Sequence, residues 1–306
     1  MFKKLFARNT RPVWVGVGLV AILALAMAFA PVRAIANSFL GLFRVEQVAV
    51  VEVNPEALMQ GLGSSPNLEA IFAEDVQVSG DGEPQTVADA AEASALAGMA
   101  VRLPAGPLGE LKLEVKSPMQ MTFNVDTAHI QAVLDELGRT DIKLPAGIDG
   151  AVVTVDLPAV VAATYGDCDM AGEVDMKGFD PDDPSTFPNR DCVSLLQMAS
   201  PTITAPPGVD LQQIGQAYLE LAGMEAEDAA RFSQNIDWST TLVLPLPTGQ
   251  SEYMEVSVDG VTGTLVRSTG EFYGSYVLLW VSDGYVYALS GNGGTSDALA
   301  IANSLK

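Results

Sequence analysis

Residues 251–292 read SEYMEVSVDGVTGTLVRSTGEFYGSYVLLWVSDGYVYALSGN, and this stretch decides the fold class. It is rich in β-branched and aromatic residues, which predict strands at Tyr253–Val258, Gly263–Arg267, Tyr276–Val281 and Tyr285–Leu289. Asp259-Gly260 and Asp283-Gly284 separate neighbouring strands, and Asp-Gly is typical of the tight turn of a hairpin. The C-terminal third therefore predicts an antiparallel sheet.

Similar strand patterns recur upstream of this stretch. We predict strands at Val48–Val53, Leu111–Val115, Met119–Val125, Ala151–Asp156, Ala159–Tyr165, Val193–Met198 and Thr240–Leu244. Apolar and polar residues alternate in both segments, 111–115 and 119–125, and a short connection that contains Ser117-Pro118 separates them. We therefore expect these two strands to be antiparallel neighbours.

Helical patterns lie between the strands. A Thr86 cap and Gly98 predict a helix between them, and Asp126 begins another that ends at Gly138. Further helices are predicted at 209–221, 225–234 and 296–305, with Leu299 and Leu305 on one side of the last. Together these patterns predict an α+β fold, a mainly antiparallel curved sheet with packed helices.

One short phrase recurs before predicted strands. It appears as Leu103-Pro104-Ala105-Gly106, Leu144-Pro145-Ala146-Gly147 and Leu246-Pro247-Thr248-Gly249. We interpret it as the mark of two related α+β units, at residues 45–166 and 193–306, joined by a loop at 167–192. The alternative is that Pro-x-Gly turns before strands are simply common turn chemistry.

The N-terminal part contains the longest uncharged stretch, VWVGVGLVAILALAMAFAPV at Val13–Val32. Its length suits a bilayer core, so we predict a transmembrane signal anchor at 13–33 after a basic cytoplasmic tail at 1–12. Because basic flanks stay in the cytoplasm, the chain beyond a juxtamembrane segment at 34–44 is expected outside it. This predicts a single-pass protein of the cell membrane with an extracytoplasmic C-terminal body.

A cleaved signal peptide is the alternative interpretation of the same stretch. Ala34-Ile35-Ala36 has the small-x-small form that precedes cleavage, which would leave a mature chain beginning at Asn37. Typical signal peptides have an apolar core of about 7–15 residues, and this one is longer. We therefore favour the retained anchor.

The charge balance excludes one class of partner. The chain has 38 acidic residues against 16 Lys and Arg, a formal net charge of −22. Nucleic-acid binding depends on basic side chains that neutralise phosphates, so nucleic acid is not an expected partner. The acidic surface suits a solvated exterior domain.

Two cysteines are present, Cys168 and Cys192. Both lie in the part of the chain predicted to be extracytoplasmic, where disulfides persist. The residues between them are rich in Gly, Pro and Asp, which predicts a loop. We therefore expect a disulfide that closes this loop.

The acidic loop between the cysteines is the one candidate ligand site. Asp180, Asp182 and Asp183 offer carboxylates of the kind that bind calcium weakly in exterior modules. They lack the sixth-position Gly and twelfth-position Glu of an EF-hand loop, so a solvated acidic loop is the alternative. His129 is the only histidine and has no G-x-S-x-G serine to serve, so we expect no catalytic triad. No other metal or cofactor is predicted.

The C-terminal phrases Tyr276–Trp280, Tyr285–Gly291 and Ala300–Leu305 carry a family resemblance. They resemble the end of an uncharacterised exterior domain of anti-sigma-factor-like bacterial membrane proteins. The resemblance covers the last third of the chain and implies a fold similar to sigma-factor regulators and lipoprotein carriers, without catalytic residues. Residues 1–12 are too few for a sigma-binding domain, so the resemblance implies an exterior sensing module rather than an anti-sigma factor.

These patterns together predict a membrane-anchored extracytoplasmic binding or sensor/regulatory module without enzymatic activity. The expected partners are the membrane and another membrane or envelope protein, or an apolar ligand held by the curved sheet. The first alternative is an envelope scaffold or a lipid or lipoprotein carrier component. The second is an extracytoplasmic hydrolase that uses acidic residues.

Overall fold

The computed structural model describes most of the chain from residue 41 to the C-terminus. The described residues are 41–54, 56, 76–80, 83–136, 138–145, 147–166, 168, 192–206, 209–249, 251–269 and 274–306. The chain is mainly β, with about twice as many residues in strands as in helices. The predicted α+β class is therefore wrong, because the helices are few and short beside the strand framework.

Fifteen strands and five helices are formed by the described residues. The strands are β1 (Gly41–Arg44), β2 (Gln47–Val53), β3 (Val76–Ser79), β4 (Pro84–Val87), β5 (Leu111–Lys116), β6 (Met119–Asn124), β7 (Val152–Leu157), β8 (Val160–Tyr165), β9 (Val193–Ala199), β10 (Thr202–Ala205), β11 (Thr241–Pro247), β12 (Ser251–Val258), β13 (Val261–Ser268), β14 (Ser275–Ser282) and β15 (Tyr285–Asn292). The helices are α1 (Ala90–Ala97), α2 (Thr127–Glu136), α3 (Leu211–Leu221), α4 (Ala226–Ser233) and α5 (Thr295–Ala302).

The strands form three sheets. The largest has eight antiparallel strands in the order β12-β13-β14-β15-β9-β8-β5-β4, and a second has five in the order β1-β10-β7-β6-β3. The third is a parallel pair of β2 and β11, with Gln47 opposite Thr241 and Val53 opposite Pro247. The hairpins predicted around Asp259-Gly260 and Asp283-Gly284 are confirmed as β12–β13 and β14–β15.

Three long strands run through both antiparallel sheets and bend between them. Each consists of two consecutive segments, β5–β6, β7–β8 or β9–β10, with one segment in each sheet. Pairing resumes after the bend, since Lys116 faces Val160 on one side and Met119 faces Leu157 on the other. Each of the three bends contains a proline, at Pro118, Pro158 or Pro201. Proline has no N–H to donate to a ladder, so the ladder is interrupted there while the chain continues.

The strands predicted at 111–115 and 119–125 are not neighbours. β5 pairs with β4 and β8 in the eight-stranded sheet, whereas β6 pairs with β3 and β7 in the five-stranded sheet. Ser117-Pro118 is therefore a bend within one long strand and not the turn of a hairpin. The pairing prediction was wrong because a proline between two strand segments marks either feature equally well.

Two hydrophobic cores lie on opposite faces of the eight-stranded sheet. The first core lies between that sheet, the five-stranded sheet, the parallel pair and helices α3 and α4, and it includes Val51, Val155, Leu219, Trp238 and Leu279. The second core lies between the other face and helices α1 and α5, and it includes Val161, Leu195, Leu278, Trp280 and Ala298. Alternation along β14 places Leu279 in the first core and Leu278 and Trp280 in the second.

Helix α1 begins later than its sequence predicted. Thr86 belongs to β4, and Asp89 is the N-cap, since its carboxylate accepts hydrogen bonds from the N–H groups of Ala91 and Glu92. Gly98 ends the helix in the left-handed region at φ 67°, as predicted. The helix is therefore eight residues long and lies on β5.

Both predicted units contribute to the same sheet. β8, at the end of residues 45–166, pairs along its whole length with β9, at the start of residues 193–306. Residues 41–44, expected in the juxtamembrane segment, form β1 and pair with β10. The folded body therefore begins at or before residue 41.

The predicted transmembrane helix at 13–33 falls outside the described residues, as does the tail at 1–12. None of the helices in the described part of the chain is long and apolar enough to cross a membrane. The architecture predicted from the sequence, a transmembrane helix followed by an α+β body, is thus corrected to a mainly β body of three sheets.

Gly215 in α3 provides a test of how the first core is packed. A Cβ at this position would overlap the indole ring of Trp238, which lies against the helix backbone. We expect Gly215→Ala to lower stability by about 1–3 kcal/mol, because overpacking outweighs the gain of about 1 kcal/mol in helix propensity. Thermal unfolding checks this, with Gln213→Ala at an exposed position of the same helix as the control. A melting temperature at or above that of the wild type would contradict the packing.

Candidate functional site

The cysteine prediction is confirmed. Cys168 and Cys192 form a disulfide with their Cα atoms 4.9 Å apart. The bond lies just beyond Tyr165 and Val193, the last residue pair of the β8–β9 ladder. It therefore closes the loop at the place where two central strands of the large sheet end.

The other residues singled out in the sequence are not brought into one site. Asp180, Asp182 and Asp183, the predicted weak calcium ligands, lie outside the described residues. In the described part of the chain, no three His, Cys, Asp or Glu side chains come together as a metal site. His129 is exposed on the first turn of α2, where its backbone N–H donates to the carboxylate of Asp126.

A set of polar contacts made by Arg102, Leu103 and Asp259 holds the C-terminus against the second core, and we call this set the clamp. Arg102 makes a two-pronged ion pair with Asp259 in the β12–β13 turn, one prong of which has Nη2 3.0 Å from Oδ1. Arg102 Nη2 also donates to the carbonyl oxygen of Leu305 at 3.1 Å. Leu103 and Lys306 exchange two backbone hydrogen bonds of 3.1 Å each. The loop after α1, the hairpin turn and the chain end are thus joined.

A buried amide completes the clamp. Gln197 is 1% exposed, and its side chain bonds both backbone groups of Arg102 at 2.9 Å. Buried polar groups are costly without partners, so this pairing satisfies the amide and positions the Arg102 backbone together. Below the clamp, Trp280 and Tyr287 stack with ring centres 5.0 Å apart.

The charges of the clamp shift the pKa values of its members. The hydrogen bond from Arg102 lowers the pKa of Asp259, and the same bond raises the pKa of Arg102. Burial raises the pKa of Tyr287, and burial raises the pKa of Tyr276 in the same core to about 12. Tyr276 and Tyr287 are therefore neutral at physiological pH, whereas Arg102 and Asp259 are charged.

The β12 edge of the eight-stranded sheet carries exposed apolar side chains. β12 is the terminal strand, with β13 on one side and no described strand on the other. Tyr253 and Met254 of β12 are each 41% exposed, and Val277 of β14 is 40% exposed. The register places Tyr253 opposite Val266 and Val266 opposite Val277. Tyr253, Val266 and Val277 therefore form an apolar row on one face of the sheet, which we call the edge row.

The backbone of β12 also has groups directed away from the sheet. The two-residue turn has positive φ at Asp259 (53°) and Gly260 (79°), as in the type I′ turn of a hairpin. Such a turn makes Val258 and Val261 a hydrogen-bonded pair, and bonded pairs then alternate along the ladder. The N–H and C=O groups of Tyr253, Glu255 and Ser257 therefore point outward from the edge.

The other described edges of the antiparallel sheets are shorter. β1, β3 and β4 each have four residues, whereas β12 has eight. β4 also begins with Pro84, which lacks an N–H, and α1 lies beside it. Short strands and proline are common ways in which proteins protect an edge, and β12 carries neither. This makes β12 the candidate binding edge of the molecule.

Sequence reasoning predicted β12 as a strand but not as the edge. The signal was present in its pattern, because Tyr253 and Met254 are adjacent large apolar residues that must point to opposite faces. The four consecutive exposed residues Glu252 to Glu255 are unlike the alternation of a strand with one buried face. A strand exposed on both faces lies at the border of a sheet.

No family model matches this chain, and neither a curated protein nor a solved structure does. The resemblance of residues 276–305 to the exterior domain of anti-sigma-factor-like proteins therefore stays a prediction.

The disulfide provides a direct chemical test. Neither Cys168 nor Cys192 is expected to react with a maleimide in the native protein, and both should react after reduction. In the chain-entropy model, replacing both with serine should cost up to about 3 kcal/mol, while the six-pair β8–β9 ladder keeps the fold. Mass spectrometry of labelled protein and urea unfolding measure the two effects. Labelling of both cysteines without reduction would contradict the bond.

The clamp predicts a defined pH dependence. Because the folded-state pKa of Asp259 is lowered, its contribution is present above the unfolded pKa and is lost as pH falls through the folded pKa. Asp259→Asn should cost about 1–2 kcal/mol at neutral pH, and the cost should shrink below about pH 4. The matched control is Asp283→Asn, at the same φ of 53° in the equivalent turn. Equal costs for both variants at all pH values, measured by urea unfolding, would rule out a charge effect.

Proposed function

We propose that this chain is an extracytoplasmic, non-enzymatic binding module that recognises another protein through the edge row and the neighbouring β12 backbone. The observation that carries the proposal is the concentration of exposed apolar side chains there. Of the seven large apolar side chains exposed in the described residues, Tyr253 and Met254 lie on the two faces of β12, and Val277 lies on β14 in the same row as Tyr253. Contiguous exposed apolar surface is typical of interaction sites, whereas single exposed residues are ordinary.

The composition of the surface supports a protein partner. Tyrosine and methionine are enriched in protein interfaces. Here acidic residues flank them on both sides, and such a charged border is typical of the rim of an interface. Glu252 and Glu255 lie beside Tyr253 and Met254 and are exposed. An apolar centre with a charged border gives affinity from the centre and selectivity from the border.

The cores of the molecule favour a surface site over an internal one. Both faces of the eight-stranded sheet carry cores filled by side chains from the surrounding strands and helices. A lipid or lipoprotein carrier would need part of this apolar interior for its cargo. The edge row is available to a partner without rearrangement of either core.

The disulfide supports a location outside the cytoplasm. Disulfides form and persist in oxidising compartments and are rare where thiols are kept reduced. The Cys168–Cys192 bond joins two central strands, so the protein reaches its full stability only where that bond can form. The acidic charge is compatible with a solvated exterior domain.

Site-specific photocrosslinking in the producing cells tests the proposed function. Benzoylphenylalanine placed at Tyr253 or Val277 should give the same protein adduct, because these positions are the two ends of the edge row. The control is the same probe at Glu227, which is exposed on α4 at a different surface. Val266→Ser, in the middle of the row, should reduce the Tyr253 adduct by at least about 5-fold, the effect of about 1 kcal/mol of apolar contact.

Two results would contradict the proposed function. One is the absence of adducts at Tyr253 and Val277 in protein whose thiol labelling and melting temperature are those of the wild type. The other is an identical set of adducts at Glu227, which would show crosslinking without a preferred surface.

A further inference from the structure

We propose that the partner docks as an added strand, an extended basic segment of another protein that pairs with β12 and becomes the ninth strand of the large sheet. This inference rests on the proposed function and specifies the partner's chemistry and its mode of binding. It is carried by three features of β12: its outward backbone groups, its exposed side chains and its acidic charge.

The backbone of β12 provides the directional part of the site. The N–H and C=O groups of Tyr253, Glu255 and Ser257 face away from β13, at the spacing of one strand ladder. A segment running antiparallel beside them can form a ladder with these groups. Main-chain pairing of this kind supplies affinity without requiring a particular sequence, while side chains on the two faces supply selectivity.

The two faces of β12 carry similar chemistry for an incoming strand. Glu255 and Tyr253 lie on the face of the edge row, and Glu252 and Met254 lie on the other face. Each face thus combines one carboxylate with one large apolar residue. Residues opposite each other across a ladder interact directly, so the best partner has a basic residue opposite each glutamate and an apolar residue opposite Met254.

The charge of the chain favours a different protein over a second copy. With 38 acidic residues against 16 basic ones, two copies repel each other at long range. Pairing β12 with itself would also bring Glu252 and Glu255 of both copies into one small area. Within the sheet Glu252 lies opposite Arg267, whereas Glu255 lies opposite the uncharged Thr264, so an added strand with a basic residue opposite Glu255 supplies the cation that β13 does not place there.

This geometry defines a probe peptide, Thr-Val-Lys-Val-Thr-Lys-Thr. In an antiparallel register its first valine lies opposite Val256, its first lysine opposite Glu255 and its second lysine opposite Glu252. The central valine then lies opposite Met254, and the threonine after it lies opposite Tyr253. The control peptide has glutamate in place of both lysines.

Fluorescence anisotropy with the full chain provides the first measurement. The lysine peptide should bind with a Kd below about 1 mM, and the glutamate peptide should bind at least about 10-fold more weakly. The double variant Glu252→Lys and Glu255→Lys should reverse this preference. No binding of the lysine peptide at about 1 mM, or no reversal in the double variant, would overturn the proposal.

A second measurement tests the backbone ladder without altering the protein. N-methylation of the peptide amides that face β12 should abolish binding, whereas N-methylation of the amides that face away should leave it within about 2-fold of the original. Alternation of bonded and free amides is specific to strand pairing. Equal effects at both sets of amides would overturn the ladder.

A third measurement compares two variants of the protein, one that lacks a backbone N–H facing the partner strand and one that keeps it. Glu255→Pro removes an outward N–H but no bond to β13, whereas Glu255→Gln removes only the charge. The proline variant should no longer bind the lysine peptide, and the glutamine variant should retain part of the wild-type affinity for that peptide. Persistence of the Tyr253 photoadduct at wild-type yield in the proline variant would overturn strand pairing and leave the protein-binding function intact.

Sedimentation equilibrium tests whether β12 binds a second copy of this chain instead of a basic segment of another protein. The chain should remain a monomer under the conditions of the peptide assay. A dimer that dissociates in the Glu255→Pro variant would show that β12 binds a second copy of this chain, and the proposal of a basic partner would then be overturned.

Discussion

The line of bends across three long strands is the constraint on which the rest of the structure depends. Each strand leaves one antiparallel sheet and enters the other at nearly the same level, and Pro118, Pro158 and Pro201 lie on this line. Because neighbouring strands bend together, ladder pairing is lost only locally. The bends divide each long strand between two sheets, and the first core lies between those two sheets, the parallel pair, α3 and α4.

The second core follows from the hairpins and not from the bends. β12 to β15 form a continuous antiparallel series that joins the long strands through β9, and α5 folds back on them. Adding four strands to one side of the large sheet moves its border far from the bends. Its border strand, β12, therefore has neither the short length of β4 nor the contact that α1 makes with that end of the sheet. The exposed edge results from extending one sheet beyond the part that the other elements cover.

Local chemistry in the sequence predicted local structure well. Asp259 and Asp283 adopt positive φ in the two-residue turns that Asp-Gly indicated, and Gly98 ends α1 in the left-handed region. The prediction of pairing failed at Ser117-Pro118, because whether a proline marks a turn or a bend depends on strands elsewhere in the chain. The edge could not be identified for a similar reason: which strand lies at a border is decided by the pairing of β15 with β9, far apart in sequence. The fold class was wrong because short segments with helical patterns were given too much weight against many strands.

The clamp and the β12 edge are connected through the turn that ends β12. Asp259, in the turn that ends β12, is held by Arg102, and its backbone N–H donates to Asn303 at 2.9 Å. At the other end of β12, Thr269 donates to the carbonyl oxygen of Gly249 at 3.4 Å. One end of β12 is thus joined to the C-terminal part of the chain, and the other end is joined to the residue that follows β13. A partner strand then loses its own conformational freedom on binding but does not have to order the edge it binds, and this preorganisation favours affinity. The clamp joins the chain end to the second core and also holds the end of β12 beside which the proposed partner strand would pair.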